Sequence, residues 1–230
     1  MKKVVIPDSA PRNLSFYLAV EEYLAQNVSE ELFFTWQSPP TVICGRNQVI
    51  ENEVNLDYCH DHGIEVVRRK SGGGCVYSDE GNIMLSYITP DTGVETVFAR
   101  FLEMVAAALR DLGFDAALTE HNDILIGDRK VSGNACHALP NATIVHGTML
   151  YDLDFSVLER ATTPSAEKLG KHGVASVRQR VVNLRSLGLT LSAPELRRYF
   201  EDSFCDAELM LTAEDIEKIT KFENNNKPNL

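Results

Sequence analysis

The chain is short of positive charge. Its 230 residues carry 22 lysines and arginines against 33 aspartates and glutamates, a net charge of −11. That balance cannot assemble a broad basic face, which excludes duplex nucleic acid as the principal ligand. Long apolar runs are also missing. None approaches the roughly 20 residues that a membrane-spanning helix needs, and the opening Met-Lys-Lys-Val-Val-Ile-Pro turns polar too soon for a signal peptide. The five cysteines, at 44, 59, 75, 136 and 205, are odd in number and scattered. A disulfide framework is therefore not expected, and a cytoplasmic setting is. Cys59-His60-Asp61-His62 lacks a second ligand pair at zinc-site spacing, so no metal centre is predicted. There is no Ser–His–Asp order, no carboxylate pair in a telling context and no internal repeat.

What is present is an ordinary globular composition, 44% hydrophobic and 24% charged, in a length that suits one domain over residues 1–230. Asn13 or Ser15 opens a helix with Phe16, Val20, Tyr23 and Leu24 on one face. Leu32 to Trp36 and Thr41 to Cys44 are strand-like, and Val54 to His62 is a short helix stopped by Gly63. Val94, Val97, Phe98, Phe101, Val105, Leu109 and Leu112 recur at helical spacing up to Gly113. Strands follow at Phe114 to Leu118 and Thr143 to Tyr151. Ser192-Ala-Pro-Glu195 is a capping-box opening, and Thr212 caps a last helix. Several consecutive strands lie too close together for βαβ crossovers. The fold class predicted is α+β, a mixed and largely antiparallel sheet with helices on one side and a smaller sheet beside it.

The most informative stretch is residues 65–88, EVVRRKSGGGCVYSDEGNIMLSYI. Strand-like runs flank Arg68, Arg69, Ser71 and three consecutive glycines. Adjacent glycines build no core, so the backbone there needs freedom or close approach to something. A flexible inter-strand loop is one reading. The other is an anion site, because bare peptide N–H groups beside guanidinium groups can receive phosphate or carboxylate. A second block, HNDILIGDRKVSGNA, contains a two-residue hairpin turn at Gly127-Asp128. Strand alternation puts Arg129 and Val131 on one face and Lys130 on the other. A hairpin lysine is ordinarily solvated.

The run RRKSGGGCVYSDEGN resembles the signature of the lipoate–protein ligase family, relatives of biotin protein ligases and octanoyl transferases. It meets the pattern RRxSGGGxVYxDxGN at each fixed position from Arg68 to Asn82. WQSPPTVICGRNQ, the lysine hairpin (family pattern NDxxxxxRKxSGxA), TIVHGTMLY and HGVASVRQRVVNL resemble further family segments in order. The similarity runs from about residue 13 to about 220. It implies a biotin/lipoate protein ligase-like fold. It also implies that Lys130 is the catalytic group, touching both acyl carbonyl and phosphate. ATP and lipoyl-AMP would be held by Arg69, Ser71, Gly72, Gly73, Gly74, Cys75, Val76, Tyr77, Asn122, Asp123 and Lys130. The lipoate pocket would involve Arg46, Asn47, Gly133 and His146. For His146 two readings stand, a hydrogen-bonded sheet histidine or a group lining the substrate. Arg178 and Arg180 are taken as structural or surface cations.

An arginine pair, a glycine nest and one placed lysine suit attack of a carboxylate on the α-phosphate of ATP, a step of positioning and charge neutralisation. Mg²⁺, held largely by phosphates and water, would accompany the departing pyrophosphate. In the family the acid is lipoic acid. The acceptor is a lysine on an apo lipoyl domain of a 2-oxoacid dehydrogenase complex or on the glycine cleavage H protein. A thioester transferase, acting from acyl carrier protein through a cysteine, is the nearest alternative. The cysteine positions of such enzymes read Thr143 and Glu120-His121-Asn122 here, with Cys136 the nearest thiol. A biotin ligase would carry a different glycine–arginine signature, and a non-catalytic binding module would not need Lys130 and Arg69. Many family members have a C-terminal accessory domain that is expected to be absent here. That leaves open a separate accessory subunit, transfer from preformed lipoyl-AMP alone, or a complete enzyme.

Overall fold

The computed structural model describes residues 1–7, 12–27, 29–120, 122–162 and 181–225. Arg178 and Arg180 lie outside these. In chain order the elements are β1 (Lys2–Val5), α1 (Leu14–Asn27), β2 (Leu32–Trp36), β3 (Thr41–Cys44), α2 (Ile50–Glu53) and α3 (Leu56–Asp61). They continue with β4 (Glu65–Arg68), β5 (Val76–Ser78), β6 (Asn82–Thr89), α4 (Val94–Asp111), β7 (Ala116–Leu118) and β8 (Asp123–Ile126). The rest are β9 (Arg129–Leu139), β10 (Ala142–Leu150), α5 (Phe155–Ala161), α6 (Ala193–Phe204), β11 (Ala207–Met210) and α7 (Ala213–Asn225).

Eight strands form one sheet in the order β11-β1-β2-β6-β10-β9-β8-β7, and three form a small sheet, β4-β3-β5. β1 runs parallel to both β2 and β11, whereas the other pairs of the large sheet are antiparallel. The mixed, mostly antiparallel α+β architecture expected from the sequence is present. The helices, however, cover both faces of the large sheet rather than one. β6 carries the reason, because all eight of its residues are buried. Ile83, Leu85 and Tyr87 face a core completed by Val97, Phe101, Val105 and Leu109 of α4 and by Leu196 and Phe200 of α6. Met84 and Ile88 point the other way, into a core with Leu14, Val20 and Leu24 of α1 and Ile219 of α7. A strand buried at odd and even positions alike must be covered twice.

The segment Val54 to His62 also differs from its expectation. Asn55 interrupts it, and its side chain accepts from the Tyr58 N–H at 3.1 Å to cap α3. A shorter helix, α2, precedes that break. Cys59 packs into the core of the small sheet, and the His62 ring stacks on Tyr58. The capping box of α6 is formed: Ser192 and Glu195 bond reciprocally. Among the described residues no helix is long and apolar enough to cross a membrane.

Leu85 lies at the centre of this arrangement, fully buried in β6 between β2 and β10. Leu85→Ala should lower unfolding stability by about 2–5 kcal/mol through lost burial and an unfilled cavity. Urea denaturation would check this. A loss below about 1 kcal/mol would show that the α4–α6 face does not seal the sheet.

Candidate active site

The signature block spans the small sheet. β4 ends at Arg68, the loop 69–75 crosses, and β5 begins at Val76. The two arginines do not point at an empty anion site. Arg68 Nη1 donates to the carbonyls of Gly45 (3.1 Å), Arg46 (3.3 Å) and Gln48 (2.8 Å), so it holds the turn after β3. Arg69 is 8% exposed and lies inside the glycine loop. Its Nε donates to Gly72 O (3.2 Å), its Nη1 to Ile43 O (3.0 Å), and its Nη2 to Gly72 O (2.7 Å) and Gly74 O (2.9 Å). Burial lowers the pKa of this guanidinium from its ordinary value. With the loop carbonyls turned inward onto Arg69, the glycine N–H groups are what the loop can present to an anion.

Ser71 fastens the same loop to the large sheet. Its Oγ is 2.7 Å from His146 Nε2, and His146 Nδ1 is 2.9 Å from Glu21 Oε2. Glu21 Oε1 accepts from Ser86 Oγ at 2.5 Å, and Ser86 accepts from the Trp36 indole N–H at 2.8 Å. The indole can only donate, so the Ser86 hydrogen is directed to Glu21, and the carboxylate can accept from Nδ1–H. In the neutral imidazole, Nε2 then accepts from Ser71. The sequence shows no Ser–His–Asp order, yet the fold produces a Ser–His–Glu line. Ser71 is 1% exposed, and its hydroxyl, engaged by His146, tethers the loop. Glu21 was not singled out from sequence. The available signal was a charged residue seven positions after Leu14, on the apolar face of α1.

Lys130 enters from the hairpin of β8 and β9. Ile126 pairs with Arg129, so the turn is Gly127-Asp128 as expected, with φ +63° at Gly127. A register shift between Ile124 and Leu125 bulges the hairpin beside Lys130, a device that re-aims a side chain. The ammonium lies 2.8 Å from Asp123 Oδ1, both side chains being about a third exposed (31% and 29%). Gly133 makes room for it: a Cβ there would fall 2.5 Å from Lys130 Nζ and 2.6 Å from Cε. Asn122 sits at φ +68° and its carbonyl accepts from Asn134 Nδ2 at 3.0 Å.

These pieces meet in one cavity of about 1110 Å³ between the two sheets. Arg69, Gly72, Gly73, Gly74, Cys75, Val76 and Tyr77 line one wall, and Asn122, Asp123, Lys130, Gly133 and His146 the other. Leu14, Leu18, Ile43 and Met84 make it apolar on the side of α1. A smaller cavity of about 230 Å³ adjoins it, sharing Leu18, Arg69 and His146 and adding Arg46 and Ser71. Asn47 is exposed and lines neither cavity, so the structure does not bring it to the other candidate residues. His146 is hydrogen-bonded within the sheet and also lies in the walls of both cavities. Among the described residues no three His, Cys, Asp or Glu side chains cluster as a metal cage. Asp123, the acidic group nearest the lysine, is engaged by it. A Mg²⁺ carried in on the triphosphate would be held largely by phosphates and water, as part of the substrate.

The chain belongs to the family of the lipoyl protein ligase A/B catalytic domain, which it matches over residues 13–205. It is 39% identical over 215 residues to lipoate–protein ligase 1 of Staphylococcus aureus, an alignment covering 90% of this chain and 66% of that protein. The chain spans about half to two thirds of the length of the curated relatives it matches. Among solved structures it is similar to a bipartite lipoate protein ligase from Thermoplasma acidophilum, described with its E2 lipoyl domain. That likeness has TM-score 0.85 and 27% identity, covering 97% of this chain and 91% of the other. It is also similar to a lipoate–protein ligase A bound with ATP (TM-score 0.83, 26% identity, 97% and 94% covered).

The glycines can be tested apart. Gly73 has φ +93°, and a Cβ there would lie 2.7 Å from Arg69 Nη2, whereas a Cβ on Gly72 would meet nothing within 4 Å. Gly73→Val would drive its side chain into Arg69 and so cannot separate binding from stability. Gly73→Ala should destabilise the loop by about 1–3 kcal/mol. Gly72→Ala should leave the melting temperature within about 1 °C but weaken nucleotide binding at least about fivefold. Calorimetric titration would read this. Unchanged affinity in Gly72→Ala would leave the loop without a role in binding.

Proposed function

We propose that this chain activates lipoate with ATP to lipoyl-AMP and transfers the lipoyl group to a lysine on a lipoyl domain. The observation that carries the proposal is the shared cavity, in which a glycine loop and Lys130 face each other across an apolar chamber. The ATP-bound and bipartite ligases to which the chain is similar support the same substrate classes.

In this reading the lipoate carboxylate attacks the α-phosphorus and pyrophosphate leaves. The Gly72–Gly74 amides hold phosphate oxygens. Arg69 acts through the loop carbonyls it already bonds, which orient those amides. Lys130 exchanges Asp123 for the reacting oxygens and neutralises charge as it builds. Leu14, Leu18, Ile43 and Met84 receive the acyl chain. Transfer follows when the acceptor amine attacks the acyl carbon, forming an amide and releasing AMP. The acceptor is a lipoyl domain of a 2-oxoacid dehydrogenase complex or the glycine cleavage H protein.

A thioester route has one candidate in this cavity besides Cys75, namely Cys136. Burial pushes the Cys136 thiol up to about 11, so it is overwhelmingly protonated at neutral pH and a weak nucleophile. This disfavours a thioester on Cys136 and supports the ligase reading. With wild type set as reference, Lys130→Ala should slow acyl-AMP formation at least about 100-fold in a folded protein. Cys136→Ala should keep more than roughly a third of the activity. Pyrophosphate–ATP isotope exchange measures both. Near-normal exchange in Lys130→Ala, or an acyl-thioester trapped on Cys136, would overturn the assignment.

Adenylation must enclose two anions and a metal while pyrophosphate leaves. A chamber of about 1110 Å³ is wider than the roughly 300–1,000 Å³ of ordinary ligand pockets. That width, with the bipartite relative, supports a separate accessory subunit for the first half-reaction. The chain alone should transfer lipoyl from synthetic lipoyl-AMP at least about tenfold faster than from lipoate and Mg·ATP, roughly 1.4 kcal/mol of barrier. Single-turnover runs on one apo lipoyl domain, started from either substrate, decide this. Equal rates would remove the need for a second subunit.

A further inference from the structure

Cys44 and Cys75 are far apart in sequence and adjacent in space, with their Sγ atoms 2.7 Å apart. Strand register explains the meeting. β3 and β5 pair antiparallel as Thr41 with Ser78, Val42 with Tyr77 and Ile43 with Val76. One step further along this register puts Cys44 opposite Cys75. The step after that is Gly45 opposite Gly74, joined by a hydrogen bond from Gly45 N to Gly74 O at 3.2 Å. Hydrogen-bonded and non-hydrogen-bonded pairs alternate along an antiparallel ladder, so the cysteines occupy a non-hydrogen-bonded pair. The Cys44 carbonyl agrees, because it accepts from Arg69 N at 2.9 Å on the β4 side. Such pairs hold their Cα atoms about 4.5 Å apart, inside the roughly 4.4–6.8 Å span that a disulfide bridges.

We propose that Cys44 and Cys75 are a modification site: a dithiol that a hydroperoxide converts to an intramolecular disulfide, clamping the glycine loop to β3. The two thiols differ in access. Cys75 is half-buried and lines the large cavity, whereas Cys44 is fully buried. The Cys75 sulfur therefore meets the oxidant first. As thiolate it attacks one peroxide oxygen, the O–O bond breaks, and water or an alcohol leaves after taking a proton. The resulting sulfenic acid is attacked by the Cys44 sulfur. Its hydroxide departs as water with the Cys44 proton, and the S–S bond forms. Two thiols lose two electrons and the peroxide gains them. The Cys44 thiol is held protonated by its hydrogen bond with Cys75 and by burial, which suits a resolving partner rather than the first nucleophile. Closing from 2.7 Å to the S–S length of about 2.05 Å moves the sulfurs by well under an ångström.

The test uses the full chain with hydrogen peroxide under native conditions, quenched, alkylated and digested with trypsin. Cys44 falls in the peptide 13–46 and Cys75 in the peptide 71–100, and neither peptide holds another cysteine. The expected product is these two peptides joined, about 2 Da below their summed mass, and lost on reduction. The bridged protein should melt on the order of 5–10 °C higher than the reduced form. Cys44→Ser should divert Cys75 to sulfinic and sulfonic acid instead. No joined peptide at peroxide doses that oxidise Cys75 in Cys44→Ser would overturn the proposal, as would a bridge from Cys75 to another cysteine. The consequence for the cavity rests on the nucleotide reading, and saturating Mg·ATP separates the two. Slower bridging supports both. An unchanged rate with the joined peptide present supports the bridge and counts against nucleotide binding beside Cys75.

Discussion

A guanidinium that is 8% exposed has to find acceptors for its N–H groups inside the protein, because water is no longer there to supply them. Arg69 finds them on the main chain of the loop it precedes, at Gly72 and Gly74, and on Ile43 of β3. A side chain at Gly73 would crowd this wrapping, because the backbone there is left-handed and a Cβ would reach the guanidinium, whereas a Cβ on Gly72 would meet nothing. The run of glycines and the arginine are therefore one device. The cation fixes which way the carbonyls point, and the amides are fixed with them.

A second set of bonds carries that geometry to the large sheet. Ser71 lies within the loop, His146 on β10, Glu21 on α1 and Ser86 on β6. Four elements from two sheets and a helix are tied through side chains that are each no more than 6% exposed. Buried polar lines of this kind rigidify when every member is satisfied. This one relates the loop on the small sheet to β10, and β10 pairs along its length with β9, which carries Lys130. The distance from glycine loop to lysine is thus set by packing and hydrogen bonds rather than left to loop motion.

Much of this was legible beforehand, and the gaps have physical causes. Strand and helix positions followed from periodicity, as in α4, whose apolar repeat ended at Gly113. The Gly127-Asp128 turn and the capping box at Ser192 were read from local chemistry that needs no tertiary context. The candidate residues, apart from Asn47, converge on two adjoining cavities. What the sequence did not show was which groups neutralise one another. Arg68 and Arg69 looked like anion ligands because their acceptors are carbonyls, and carbonyls belong to every residue alike. Glu21 was hidden for a similar reason, since its partners His146 and Ser86 lie 125 and 65 residues away. The second helical layer was missed because a strand buried on both faces has no alternation to reveal it.

The distinction between the arginines and the lysine then decides which cation can act. Removing Arg69 from its carbonyls would break four hydrogen bonds in a buried place and undo the loop that holds the amides. Among the described residues the ammonium of Lys130 is paired with Asp123, and that pair is about a third exposed on each side. Exposed ion pairs of this sort hold their partners by roughly 0–1 kcal/mol, so a phosphate or carboxylate oxygen entering the cavity competes with Asp123 on nearly equal terms. Asp123 keeps the ammonium aimed, and the bare Gly133 leaves the space that its Nζ and Cε occupy. In the proposed reading the arginines are bound tightly because the loop must hold its shape, and Lys130 is bound loosely because it must exchange partners.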